Sequence, residues 1–168
     1  MALKADRNEL DVDISFFYNE STATRGGVVV LDTVGSGSAM DQAGALVTIA
    51  AANTTNIVVG VLLNDVVDLD LTRQHINWHK DEVQKGGKVS ILKKGYVVTD
   101  QIDGTPTAGA LAFMDDADTG KFSVEGNIAT GDDTVVGRFM SKLDEDGYCK
   151  VEVNLPMPTA KTSGGDIV

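Results

Sequence analysis

The chain has 168 residues, 42% hydrophobic and only 5% aromatic, with 18 glycines and 3 prolines, which suits one compact domain with a Val, Leu, Ile and Ala core and strands joined by tight turns. Its formal net charge of −11 repels phosphate backbones and anionic lipid, which argues against nucleic-acid and membrane partners. No run is long and apolar enough for a transmembrane helix and residues 1–7 lack the apolar stretch of a signal peptide, while the single cysteine, Cys149, excludes an internal disulfide; a protein soluble in the cytoplasm where it is made is expected.

Residues 1–24 read as an N-terminal arm. Glu9 to Phe16 alternates polar and apolar residues, the period-2 pattern of an extended strand, and Phe16, Phe17 and Tyr18 close it with three of the nine aromatics. Such an arm either tucks against its own domain or reaches a neighbouring subunit, and the pattern leaves both open. A β domain is expected over 25–156. Its strands start with the β-branched run Val28–Leu31, then Ala45–Ala50. Ile57–Leu63 is apolar throughout and so reads as buried on both faces. Val66–Leu71 alternates again. The stretch Thr72–Glu82, with the only Trp and both His, is the least β-like part and reads as a loop or short helical turn.

Gly86-Gly87 marks a turn before the long run Lys88–Thr99, which Gly95 interrupts as a kink or bulge would. Ala110–Met114 and Lys121–Val124 flank a hairpin loop over Asp115–Gly120. Thr134–Met140 follows, and Asp144-Glu145-Asp146-Gly147 turns the chain into Tyr148–Leu155. Residues 157–168 form a polar tail expected to be mobile or to order on a partner. An internal repeat is visible in three pairs of strands. Gly27–Leu31 resembles Gly109–Phe113, Ala45–Ile49 resembles Lys121–Glu125, and Val58–Leu62 resembles Val135–Phe139. Two copies of a β-meander closing into one barrel or sandwich fit this pattern, and closure removes exposed sheet edges.

Motifs for chemistry are sparse. No P-loop, dinucleotide fingerprint or nucleophile elbow occurs, and Gly35-Ser36-Gly37-Ser38 reads as flexible loop. His75 and His79, spaced by four, would share one helix face as zinc ligands do, with Asp70, Asp81 and Glu82 near them in sequence, but the segment has no helical pattern and polar loop contacts account for it better. Asp115, Asp116 and Asp118 resemble a calcium loop only partly, because Ala117 stands at the third position and Gly126 at the twelfth. Asp65, Asp68 and Asp70 read as a solvated strand face. Cys149, in an alternating strand, reads as a structural thiol. No catalytic, metal-binding or cofactor-binding residue is expected, and no enzyme activity.

Several segments together resemble the capsid decoration (cement) proteins of tailed bacteriophages. They are the Gly-led strand Arg25–Asp32, Val58–Leu63 with its central Val-Gly, Gly86–Leu92 with Gly-Gly-Lys-Val, Ala108–Asp116, and Val135–Met140. Val61–His75 with Gly86–Val89 is similar to virion proteins of such phages. The resemblance spans about residues 25–155 and implies a homotrimer that binds the outside of the major capsid protein shell and stabilises it, with no active site. The long N-terminal segment and the His75–Glu82 insertion depart from simpler members. The expected contact residues are Phe16, Phe17 and Tyr18 in the arm and His75, Trp78 and His79 in the loop. Trp in a polar loop suits an interface anchor. Alternatives left open are another virion component, such as a head fibre base or tail tube subunit, and, further off, a metal-dependent hydrolase. A carbohydrate-binding module is disfavoured by the scarcity of aromatic residues.

Overall fold

The computed structural model of the protein describes residues 3–32, 45–50, 57–68, 82–115, 120–124 and 134–155. Among these residues there are thirteen strands and no helix. They are β1 (Asn8–Asp13), β2 (Phe17–Tyr18), β3 (Val28–Leu31), β4 (Leu46–Ile49), β5 (Val58–Leu62), β6 (Asp65–Val66) and β7 (Glu82–Val83), then β8 (Ile91–Thr99), β9 (Ile102–Asp103), β10 (Leu111–Met114), β11 (Phe122–Ser123), β12 (Val135–Phe139) and β13 (Cys149–Asn154). Eleven make one mixed sheet in the order β2-β4-β3-β5-β8-β13-β12-β10-β11-β9, with β1 paired to β8 outside that path. The other two, β6 and β7, form a small parallel pair.

The sheet is not a closed barrel, which corrects half of the expected architecture. Its end strands β2 and β9 are two residues each and do not pair with each other. The outer edge of β2 is satisfied instead by a turn: Tyr18 N donates to Gly87 O, and Gly86 N donates to Tyr18 O at 2.7 Å. An edge covered by a turn offers no template for another strand, so closure is unnecessary. Nor is the path a simple meander. β5 pairs with β3 rather than with β4, and β12 pairs with β10 rather than with β11. The parallel pairs β2–β4 and β9–β11 are also outside a meander.

The long strand β8 is the spine. Ile91 and Leu92 pair with β5, residues 94–99 pair with β13, and β1 pairs along Ile91–Tyr96. Gly95 has φ +143°, and a Cβ there would strike the Asn8 carbonyl. Only glycine lets β1 lie so close at that point, which accounts for the break anticipated in the apolar run.

Two clusters make the core. The central one draws Val28, Val61 and Leu92 from one half of the sheet and Phe122, Phe139 and Val151 from the other, so the sheet folds over on itself around it. The second lies on the other face of the first half and holds Tyr18, Val29, Val47, Leu62, Val66, Val89 and Ile91. Strands with both faces covered need side chains that are apolar at every position, which is what Val28-Val29-Val30 and Val58–Leu62 supply. By contrast β13 has one wet face. Cys149, Val151 and Val153 are buried, while Glu152 and Asn154 are exposed.

The internal repeat is real and larger than the sequence suggested. Two five-strand units, β2-β4-β3-β5-β8 and β9-β11-β10-β12-β13, meet at the β8–β13 seam in mirrored order. Several of their backbone hydrogen bonds match. Gly26 N donates to Leu62 O as Gly109 N donates to Phe139 O, both at 2.7 Å. Leu31 N to Ile57 O matches Met114 N to Thr134 O, and Leu63 N to Ser90 O matches Met140 N to Lys150 O. The same register shift recurs after Val29–Gly60 and after Ala112–Gly137. These bonds make Gly26, not Gly27, the counterpart of Gly109. The first two strands of the sequence alignment are therefore out by one residue, a slip that in a strand exchanges the two faces.

Candidate interaction surface

The N-terminal segment lies along the domain rather than standing off it. Leu3 bridges to Thr99 and is buried, and Lys4 N donates to Val98 O. Two ion pairs fasten the side chains: Lys4 Nζ to Asp144 Oδ2 at 2.7 Å and Lys93 Nζ to Asp13 Oδ2 at 2.5 Å. Asp144 sits in the turn expected at 144–147, where its Oδ1 accepts from the Asp146 and Tyr148 amides. The hydrogen bond from Lys93, helped by Ser15, holds the Asp13 carboxyl down at about 2.

Phe16, Phe17 and Tyr18 occupy three different situations at the corner after β1. Tyr18 is fully buried in the second cluster, with its hydroxyl 3.4 Å from Glu20 Oε2. Burial pushes the phenol well above its ordinary range and also raises the Glu20 carboxyl. Phe16 and Phe17 are half-buried. A lysine ammonium stands over each ring, Lys93 at 5.4 Å from Phe16 and Lys88 at 5.5 Å from Phe17, a cation–π arrangement. Of the two alternatives for the arm, the structure brings these aromatics onto their own domain. His75, Trp78 and His79 lie outside the described residues.

Asp65 is held by Arg25, whose Nε is 3.2 Å from Oδ2, and Asp68 is exposed; Asp70 is outside the described residues. Asp65 and Glu82 line an open cleft of about 520 Å³ with Thr22, Thr24, Ile49 and Gln101. Among the described residues, no three His, Cys, Asp or Glu side chains come together as a metal-binding group. Cys149 is buried, donates to Ser141 O at 3.0 Å, and has its thiol pKa raised by burial. A thiol so placed is a packing group rather than a nucleophile.

What the surface does offer is apolar side chains in water. Leu10 is 74% and Ile14 63% exposed on the N-terminal segment, and Leu111, Val135 and Met140 are exposed on the second repeat. Sequence reading passed over all five as ordinary strand residues. Leu10 is the extra residue of a β1 bulge, which no local pattern announces.

The described residues are all-β and leave several large apolar side chains exposed beside two buried apolar clusters. The chain belongs to the phage structural cement protein family: residues 6–154 match the family described as structural cement protein (E217 gp24/Pam3 gp6). No curated protein matches the chain significantly.

Proposed function

We propose that the chain seats on the outside of a phage major capsid protein shell, as a homotrimer, and stabilises the shell by bridging neighbouring capsid subunits. The family match over residues 6–154 carries this reading. The role requires no catalysis, cofactor or metal. Bridging works through many modest contacts whose avidity multiplies, and cyclic symmetry lets a trimer sit on a three-fold position. The charge of −11 suits a protein that contacts the protein shell and neither nucleic acid nor membrane. Synthesis in the host cytoplasm and residence on the virion exterior complete the proposal.

Phe16 and Phe17 are the arm residues proposed to touch the shell, with Tyr18 fixing the corner from inside. His75, Trp78 and His79 are proposed contacts of the 72–82 segment. Removing residues 1–20 would strip Leu3 and Tyr18 from the core and take β1 from β8, so it tests folding as much as binding. Point changes separate the two. Purified protein should pellet with empty shells from its own phage and raise their melting temperature. Phe16→Ala with Phe17→Ala should weaken co-sedimentation by about thirtyfold, the weight of an interface hot spot of about 2 kcal/mol. Wild-type protein that ignores shells, or assembles alone into rings or tubes, would sink the reading.

A further inference from the structure

The two repeats do not bury the same faces. In the first repeat Val28, Val30, Val58, Val61, Leu63 and Leu92 point into the central core, and Tyr18, Val29, Val47, Leu62, Val89 and Ile91 point into the second cluster. The matched hydrogen bonds pair the latter set with Ile102, Ala112, Phe122, Phe139, Cys149 and Val151, all of which line the central core. The repeats are thus stacked face to back. The face that the first repeat covers with the second is, on the second repeat itself, turned outward except at Phe113, the counterpart of Val30, which stays buried.

That outward face carries Leu111, Val135 and Met140 where the first repeat has Val28, Val58 and Leu63. The three are 42%, 44% and 49% exposed, against 0%, 2% and 5% for their counterparts. At its centre Arg138 and Glu152, cross-strand partners, replace Val61 and Leu92. Cross-strand partners share a face. The register Glu152–Tyr96, Asn154–Lys94 and Lys150–Val98 therefore brings Lys94 and Lys150 to the same side, Lys150 with its Nζ 3.7 Å from the Tyr96 ring centre. Three cations, Lys94, Arg138 and Lys150, stand against two carboxylates, Glu152 and the Asp11 paired with Lys94, which leaves the patch net positive on a chain whose net charge is −11.

We infer that the outward face of the second repeat is the contact between copies of this chain. Two observations select a second copy as the occupant. Inside the chain, the equivalent face is covered by another copy of the same repeat. In addition, an apolar patch with a basic rim is complementary to the acidic surface every other copy presents. The interface deepens the trimer reading above and rests on it for the number of copies.

The test is the mass of the full chain in solution by sedimentation, across a hundredfold range of concentration. Wild-type protein should be larger than the 17.7 kDa monomer. Leu111→Ser, Val135→Thr and Met140→Gln combined should weaken association at least tenfold with an unchanged circular dichroism spectrum. Arg138→Glu, a single exposed change that leaves the core intact, should weaken it as well and covers the case in which the triple variant does not fold. Leu10→Ser with Ile14→Ser should leave the mass unchanged. A monomeric wild type overturns the inference, as does a triple variant of wild-type mass. A variant of wild-type mass that no longer pellets with shells overturns it too, and assigns the face to the capsid. Oligomers that depend on the patch but ignore shells keep the interface and sink the cement reading.

Discussion

Gly60 and Gly137 occupy the same place in the two repeats, and each is glycine for want of space. A Cβ on Gly60 would strike Ile91 and the Leu92 carbonyl, and one on Gly137 would strike the Glu152 carbonyl. Backbone cannot swing aside as a side-chain tip can. Gly60→Ala and Gly137→Ala should each destabilise by about 1–3 kcal/mol, the usual cost of overpacking, read by chemical denaturation; a neutral Gly137→Ala would show that the β12–β13 pairing is looser than described. Glu20 makes a titration prediction. Burial raises its pKa above the ordinary 4.5, so the folded state favours the protonated acid. Its favourable contribution is complete below 4.5 and is lost as pH rises through the folded value. Glu20→Gln keeps an acceptor for Tyr18 without the charge. It should raise the melting temperature at pH 7, with the gain vanishing below about pH 4. A gain that persists at pH 3 would place the effect elsewhere.

Strands differ in how firmly they are held. β13 lies between β8 and β12 and buries three side chains, whereas β1 is exposed over its first four residues and has β8 alone as partner. Amides of β1 should therefore exchange with deuterium well ahead of those of β13. Equal protection would mean that β1 opens only when the whole domain does. Most strands were legible from period-2 alternation or from β-branched runs, and the turns at Gly86-Gly87 and Asp144–Gly147 from their composition. The order of the strands was not, because the residues between two strands carry no mark of whether the next strand lands beside the last or beyond it. For the same reason the alternation in Glu9–Phe16 announced a strand without naming β8 as its partner. Of the residues read as contacts, the Phe16-Phe17-Tyr18 triplet looked uniform; its division into one buried ring and two half-buried ones depends on the β2–β4 register, which no local pattern holds.

At the level of the molecule, the duplication was visible in the sequence but its geometry was not. Short apolar strands match well in either of two registers, and hydrogen bonding was needed to choose. The face-to-back stacking follows from that choice, and so does the second repeat's mixture of Leu111, Arg138 and Glu152 on one side. Although the units are alike, neither is expected to stand alone, since they share one core and the β8–β13 seam. Residues 3–100 expressed separately should fail to give a cooperative thermal transition, and a sharp one would show that the first repeat is a domain in its own right. The place of β13 bears on how the protein is made. It is the last described strand to leave the ribosome, yet it sits in the middle of the sheet. Asn8 has its partner, Tyr96, nearly ninety positions later. Sheet pairing over such separations is slow, and the central seam has to wait for the chain beyond Cys149. A nascent chain therefore cannot complete its sheet early, and a product of premature termination would display open strand edges to the cell's quality control rather than a finished subunit to the assembling particle.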